Sequence, residues 1–220
     1  MTDTRSAADT RLKAAIVTVT PFQQNCTLVW DGKTRHGVVV DPGGDVPRIK
    51  SAIAQANVEI DAILLTHGHI DHAGGAAELR EALGVEIAGP HVADKFLLDD
   101  LPNNGKRFGL TAQAVTPDRW LDEGDTVKIA GRPFAIFHCP GHSPGSVVYF
   151  SKEQRFALVG DVLFAGSIGR TDFPYGDHAA LIDGIKRKLL PLGDDIAFVC
   201  GHGPTSTFGQ ERRTNPFLQG

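Results

Sequence analysis

The sequence lacks the features that would place it in a membrane or on nucleic acid. No apolar run approaches the roughly 20 residues needed to cross a bilayer, and the polar residues 1–9 contain no apolar stretch typical of signal peptides. The net charge of −4 offers no basic surface for nucleic acid or anionic lipid. We therefore expect a cytoplasmic protein that binds neither nucleic acid nor membrane.

Cysteine is also scarce. Cys26, Cys139 and Cys200 are far apart, odd in number and without C-x-x-C spacing, so they predict reduced core residues rather than a disulfide framework. A reactive thiol or a metal ligand stays open for Cys139 and Cys200, which lie near other candidate ligands. The sequence has no G-x-x-x-x-G-K-[ST] motif, so its glycine-rich segments predict turns and not a nucleotide site.

What the chain does contain is two similar series of strands and helices. The predicted strands are residues 14–19, 26–30, 36–40, 60–65, 85–88, 126–129, 134–138, 146–150, 156–159 and 196–200. The predicted helices are residues 46–56, 75–83, 91–98, 179–190 and 207–214. Residues 103–120 fit neither period. This order predicts an α/β fold, a four-layer αβ/βα sandwich, as one domain over residues 1–220 with a disordered start at 1–11.

The most informative segment follows the apolar strand at residues 60–65. His67, His69, Asp71 and His72 lie within six residues, in the pattern H-x-H-x-D-H. In a chain of this composition the pattern arises by chance with odds on the order of one in a thousand. Neutral imidazoles and carboxylates are ligands of Zn, Fe and Mn. The segment therefore predicts a metal site rather than a polar turn.

Three further donors recur in one context, each preceded by glycine at or near a strand end. They are His142, Asp161 and His202. A lone loop histidine is usually structural, but three donors in this context beside the cluster favour ligation. Asp41 also ends a strand, and we interpret it as a turn cap or the partner of a ligand histidine. The remaining histidines are interpreted as structural or surface residues: His36, His91, His138 and His178.

These motifs, together with D-P-G at residues 41–43, resemble the metallo-β-lactamase superfamily. The stretches GDVLF (160–164), GSIGRTDFP (166–174) and GHGPT (201–205) are similar to the glyoxalase II, or hydroxyacylglutathione hydrolase, branch. The chain ends at residue 220, without the C-terminal helical region that grips glutathione in longer members, so the resemblance is to the short bacterial type. The family fold is the αβ/βα sandwich expected above.

The resemblance implies two divalent metal ions per chain, zinc first, with iron or manganese as alternatives. The implied ligands are His67, His69 and His142 for the first metal, Asp71, His72 and His202 for the second, and Asp161 as the bridge. It implies that a hydroxide between the metals attacks a thioester such as S-2-hydroxyacylglutathione, with Asp71 and Asp161 as catalytic residues.

Substrate contacts are expected from Arg170 and Tyr175 in the loop after the bridging aspartate. For Arg170 the alternative is an ion pair with Asp172. A possible second function is that of a related persulfide dioxygenase, with one Fe(II) on His67, His142 and Asp161. Residues 173–176 (FPYG) favour the hydrolase, and Asp161, where some β-lactamases have cysteine, disfavours lactamase activity. A nuclease is disfavoured by the acidic balance, and a non-catalytic binding module by the seven retained donors.

Overall fold

The computed structural model describes residues 11–219, which form two β-sheets with helices on their outer faces. The first sheet has five strands in sequence order. They are β1 (Leu12–Val19), β2 (Gln24–Asp31), β3 (His36–Val40), β4 (Glu59–Leu64) and β5 (Glu86–Ala88). Its helices are α1 (Val46–Ala56), α2 (Ile70–Ala73), α3 (Ala76–Leu83), α4 (Lys95–Asp99) and α5 (Leu101–Phe108).

The second sheet has six strands in the order β13-β12-β9-β8-β7-β6. The strands of the second half are β6 (Thr126–Ile129), β7 (Arg132–His138), β8 (Val147–Ser151), β9 (Phe156–Gly160), β10 (Leu163–Phe164), β11 (Ser167–Ile168), β12 (Ala197–Cys200) and β13 (Ser206–Thr207). Strands β10 and β11 form a separate hairpin. The helices are α6 (His178–Gly184), which continues through residues 185–192 as π and 3-10 turns, and α7 (Phe208–Thr214).

Side-chain alternation along the strands explains why the layers stack. In β3, Val38 and Val40 pack into the apolar layer between the two sheets, whereas Val39 packs toward Ile49 and Ile53 of α1. In the second half, Leu181 and Ile185 cover the outer face of the other sheet in the same way. Three buried apolar layers therefore separate four layers of secondary structure, and the predicted αβ/βα sandwich is confirmed.

The connections place several strand ends at one edge. Strands β3 and β4 are parallel, as are β9 and β12, and each pair is joined through a helix, as parallel strands require. Their carboxyl ends lead into the loops that begin at Asp41, Leu65, Asp161 and Gly201. A bridge between Gln24 and His202 joins the two sheets at this edge.

The structure corrects three predictions. The stretch at 103–120 is irregular only after Phe108, because α5 begins at Leu101 with Pro102 in its first turn and ends at Gly109 in a left-handed conformation. The segment H-x-H-x-D-H, whose glycine-spaced polar residues predict a loop after the strand, contains the helix Ile70–Ala73. The single helix expected at 179–190 changes to a π turn at Ile185. Among residues 11–219, no helix combines the length and apolar character needed to span a membrane.

The disordered start predicted for residues 1–11 lies outside the described residues except for Arg11. The single-domain assignment stays a prediction.

Candidate metal centre

The first donor set consists of three imidazoles. Nε2 of His67 lies 3.0 Å from Nδ1 of His69, which in turn lies 2.9 Å from Nε2 of His142. The loop after β4 carries His67 and His69, and the loop between β7 and β8 carries His142. Three nitrogens from two sheets thus converge on one point, in the donor set that suits zinc or iron.

The second donor set lies beside the first. Oδ2 of Asp71 is 3.1 Å from Nε2 of His202 and 3.8 Å from Nε2 of His72. Helix α2 presents Asp71 and His72, and the turn after β12 presents His202. One carboxylate and two imidazoles again converge within metal-binding distance of one another.

Asp161 lies between the two sets. Its Oδ2 is 3.5 Å from Nε2 of His142 and 3.6 Å from Nε2 of His202, and its Oδ1 is 3.3 Å from Nε2 of His72. The structure therefore brings all seven predicted donors together, with this carboxylate facing the first set and the second set at once.

Outer hydrogen bonds select the tautomers that a metal needs. Nδ1 of His142 lies 2.9 Å from the carbonyl oxygen of Arg170, and Nδ1 of His72 lies 2.9 Å from Oδ2 of Asp41. A carbonyl or carboxylate oxygen only accepts, so both Nδ1 atoms donate and each neutral ring keeps its lone pair on Nε2.

Thr66 favours the same tautomer in His67. The Thr66 hydroxyl donates to Asp41 at 2.6 Å, so its oxygen is available to accept from Nδ1 of His67 at 3.1 Å. The other oxygen of Asp41 accepts the backbone N–H of Thr66 at 2.7 Å. Asp41 thus contacts His72 and the His67 loop as a supporting partner, in agreement with its interpretation from the sequence.

Two buried atoms at the centre have no hydrogen-bond partner in the described part of the chain. They are Nε2 of His72 and Oδ1 of Asp161, which face each other. Two buried lone pairs in this arrangement are costly unless a proton or a cation lies between them. The residues present therefore fit divalent metal ions.

The electrostatic surroundings of the first set favour neutral imidazoles, the form that binds a metal. Burial lowers the pKa of His67 far below its ordinary value, and burial together with His142 lowers the pKa of His69 to about 3. For His72, burial opposes the charge, but Asp161 and Asp71 raise its pKa well above the usual value. The two carboxylates therefore create a negative centre that attracts a cation.

Comparison with known proteins identifies the family. The sequence profile of the Metallo-beta-lactamase superfamily matches residues 19–202. The chain belongs to the metallo-β-lactamase superfamily. Hydroxyacylglutathione hydrolase GloC of Haemophilus influenzae is 49% identical over 205 residues, which cover 92% of this chain and 96% of that protein.

Two solved structures resemble this chain along most of its length. BLEG-1 B3 metallo-beta-lactamase has a TM-score of 0.87 and 34% identity, covering 94% of this chain and 100% of that one. TTHA1623 in a di-iron-bound form has a TM-score of 0.83 and 39% identity, covering 93% of this chain and 100% of that one.

An aromatic group lies at the mouth of the candidate metal site. The hydroxyl of Tyr175 is 2.8 Å from Nε2 of His69, and its ring stacks on Phe173. Arg170 pairs with Asp172 at 2.7 and 2.8 Å and lies 4.5 Å above the Phe173 ring. The ion-pair alternative considered for Arg170 is thus present, while substrate contacts for Arg170 and Tyr175 stay predictions.

Sequence reasoning passed over Asn25, at the start of β2. Its Nδ2 donates to the carbonyl oxygens of Cys200 at 3.0 Å and Gly203 at 2.9 Å, which holds the loop that carries His202. The available signal was a pair of polar residues, Gln24 and Asn25, opening an otherwise apolar strand.

Cysteine chemistry has little support at this site. All three cysteines are buried and unpaired. Burial raises the pKa of Cys139 to about 12 and that of Cys200 to about 11, which disfavours a reactive thiolate. Among residues 11–219, no cysteine belongs to a group of donors close enough to hold a metal. The interpretation as core residues therefore fits the structure.

Proposed function

We propose that this protein is a binuclear metal-dependent hydrolase that cleaves thioesters such as S-lactoylglutathione, an S-2-hydroxyacylglutathione. The observation that carries the proposal is Asp161, whose carboxylate faces an all-imidazole set and an Asp-His-His set. The similarity to a protein named hydroxyacylglutathione hydrolase supports the same reaction. The net reaction adds water across the C–S bond, giving the hydroxy acid and the free thiol.

Each donor set would bind one metal ion. His67, His69 and His142 would hold one ion, Asp71, His72 and His202 the other, and Asp161 would contact both. When bound, two divalent ions lower the pKa of a water toward neutrality and stabilise negative charge on the substrate carbonyl oxygen. Zinc is the first candidate, and the di-iron-bound neighbour supports iron as the alternative.

The chain itself supplies orientation and access. Asp41 and the carbonyl oxygen of Arg170 hold His72 and His142 in the tautomers that leave Nε2 free. Asp71 keeps 16% of its side chain exposed at the open side of the site, where its carboxylate can accept a hydrogen bond from the attacking water. The partly exposed rings of Phe173 and Tyr175, beside His69, would receive the thioester.

The test combines metal content with turnover. Protein grown without added metal is analysed for metal per chain and assayed with S-lactoylglutathione. Asp161→Asn is the test variant, and Asp31→Asn is the matched control, because Asp31 is also buried and accepts the backbone N–H groups of Lys33 and Thr34 at the far end of β2.

The proposal predicts about two metal ions per chain and thioester hydrolysis, both reduced in Asp161→Asn and kept in Asp31→Asn. One iron per chain, together with O2 consumption when glutathione persulfide is added, would overturn the hydrolase proposal and support a dioxygenase. Faster cleavage of a β-lactam than of the thioester would overturn the substrate class.

A further inference from the structure

Asp94 is a fully buried carboxylate that lies outside both donor sets. It ends a 3-10 turn, Val92–Asp94, ahead of α4, and none of its side chain is exposed. Its Oδ2 accepts the backbone N–H of Gly68 at 2.8 Å and the hydroxyl of Ser143 at 2.7 Å, and its Oδ1 accepts the backbone N–H of Gly145 at 2.5 Å. Three donors from two separate loops thus meet on one side chain.

Those two loops carry the whole first donor set. Gly68 lies between His67 and His69, and Ser143 directly follows His142. Every imidazole of the first set is therefore a chain neighbour of a group bonded to this carboxylate. The second set has different support: Asp41 on His72, and Asn25 on the loop of His202.

The loops also pack directly onto Asp94. A methyl group on Gly145 would lie 2.6 Å from Cγ of Asp94, and one on Gly68 would lie 3.3 Å from its Cβ. Glycine at both positions lets the backbone approach the carboxylate closely. The carboxylate is also chemically specific, because an asparagine amide would turn one N–H group toward a donor.

The charge of Asp94 also fits this arrangement. Burial raises the pKa of Asp94 to about 6, although the hydrogen bonds from Ser143, Gly68 and Gly145 favour ionisation. Each oxygen accepts a backbone N–H group and Oδ2 also accepts the Ser143 hydroxyl, so the carboxylate form directs its acceptor capacity at the two loops. A buried anion is costly unless such partners satisfy it.

We propose that Asp94 is a positioning residue for the first metal set. It joins the His67–Gly68–His69 loop to the His142 loop, and so sets the spacing of the three imidazole nitrogens without binding metal or substrate itself. This inference rests on the proposed metal centre.

The experiment measures zinc affinity in two single-set backgrounds after metal removal, by competition with a chromophoric chelator. His202→Ala leaves the first set intact, and His142→Ala leaves the second. Asp94→Asn is expected to weaken zinc binding about tenfold or more in the His202→Ala background and to change it less than about threefold in the His142→Ala background. Asp31→Asn, at the far end of β2, should change neither.

A milder variant keeps the inference testable if Asp94→Asn does not fold. Ser143→Ala removes one of the three hydrogen bonds and should weaken only the first set, by less than Asp94→Asn does. Equal weakening of both sets, or unchanged first-set affinity in folded Asp94→Asn, would overturn the inference. Zinc affinity is measured without substrate, so a protein that binds zinc but leaves the thioester intact contradicts the proposed function and not the role of Asp94.

Discussion

Gly201 packs directly against the carboxylate of Asp161. A methyl group on Gly201 would lie 2.0 Å from Oδ1 of Asp161 and 2.5 Å from Cε1 of His72. The glycine that precedes His202 is therefore required by close approach, since any side chain there would displace the Asp161 carboxylate or the His72 ring. Its backbone N–H also bonds the carbonyl oxygen of Gly160, at the end of the neighbouring strand.

The first prediction is that Gly201→Ala loses metal although no donor is removed. The added methyl should push Asp161 and His72 apart and lower metal affinity by about tenfold or more, as shifts of supporting groups do. Elemental analysis after dialysis against a chelator measures the loss. Gly131→Ala is the control, because Gly131 also has a positive φ (78°), a methyl there meets open space, and its turn between β6 and β7 lies outside the site, so the change costs only about 1–2 kcal/mol of backbone strain. If Gly201→Ala retained two metal ions, the predicted displacement of Asp161 and His72 would be wrong.

The second prediction concerns Asp71, whose Oδ2 lies 3.1 Å from Nε2 of His202. Asp71→Asn keeps the side-chain shape and one oxygen, but it weakens the acceptor that would orient water. Thioester turnover should fall on the order of 10²-fold or more, in a protein that still contains two metals. Steady-state kinetics and metal analysis of the same sample separate the two effects. A full rate with two metals would leave Asp71 no role beyond ligation.

The third prediction tests the hydroxyl of Tyr175, which bonds Nε2 of His69. Tyr175→Phe keeps the ring stacked on Phe173 but releases the imidazole, so first-set metal affinity should fall about tenfold. Chelator competition measures it. Phe96→Leu serves as the control, because Phe96 touches the Tyr175 ring edge and leaves the hydroxyl in place. Equal effects of both variants would indicate packing rather than hydrogen bonding.

The fourth prediction is a pH dependence of stability that comes from a surface pair, His36 and Asp61, at the end of β3 remote from the site. Nδ1 of His36 lies 2.7 Å from Oδ1 of Asp61, and this hydrogen bond raises the pKa of His36. A raised folded-state pKa gives stability that is fully present below the unfolded value of about 6.5 and is lost as pH rises through the folded value. His36→Asn should therefore destabilise the protein at pH 5.5 and not at pH 9.

Urea unfolding at the two pH values measures this difference. Asp61→Asn should cause most of the same acid-side loss, because Nε2 of His36 also lies 3.8 Å from Oε2 of Glu59, and the double variant should lose no more than His36→Asn alone. Additive losses would show that His36 gains its stability elsewhere.

Periodicity predicted most elements of the fold correctly. The parallel strand β4 is apolar except for the exposed Glu59 and Asp61, and α1 shows helical spacing with Pro47 in its first turn and left-handed Asn57 at its end. Elements that owe their existence to packing were missed. Helix α5 contains two asparagines and a glycine, which disfavour helix, but Leu101 and Gly105 are buried against the core and the helix forms. The two-residue strands β10, β11 and β13 are too short to show a period.

The sequence by itself determined which side chains are available as metal donors, because imidazole and carboxylate groups keep their chemistry in any fold. Tertiary structure alone decided how they group. His142 meets His69, 73 residues earlier in the chain, only because two sheets end at one edge. The supporting contacts of Asp41, Asn25 and Asp94 depend on hydrogen bonds between segments distant in the chain, and local residue patterns contain no information about such distances.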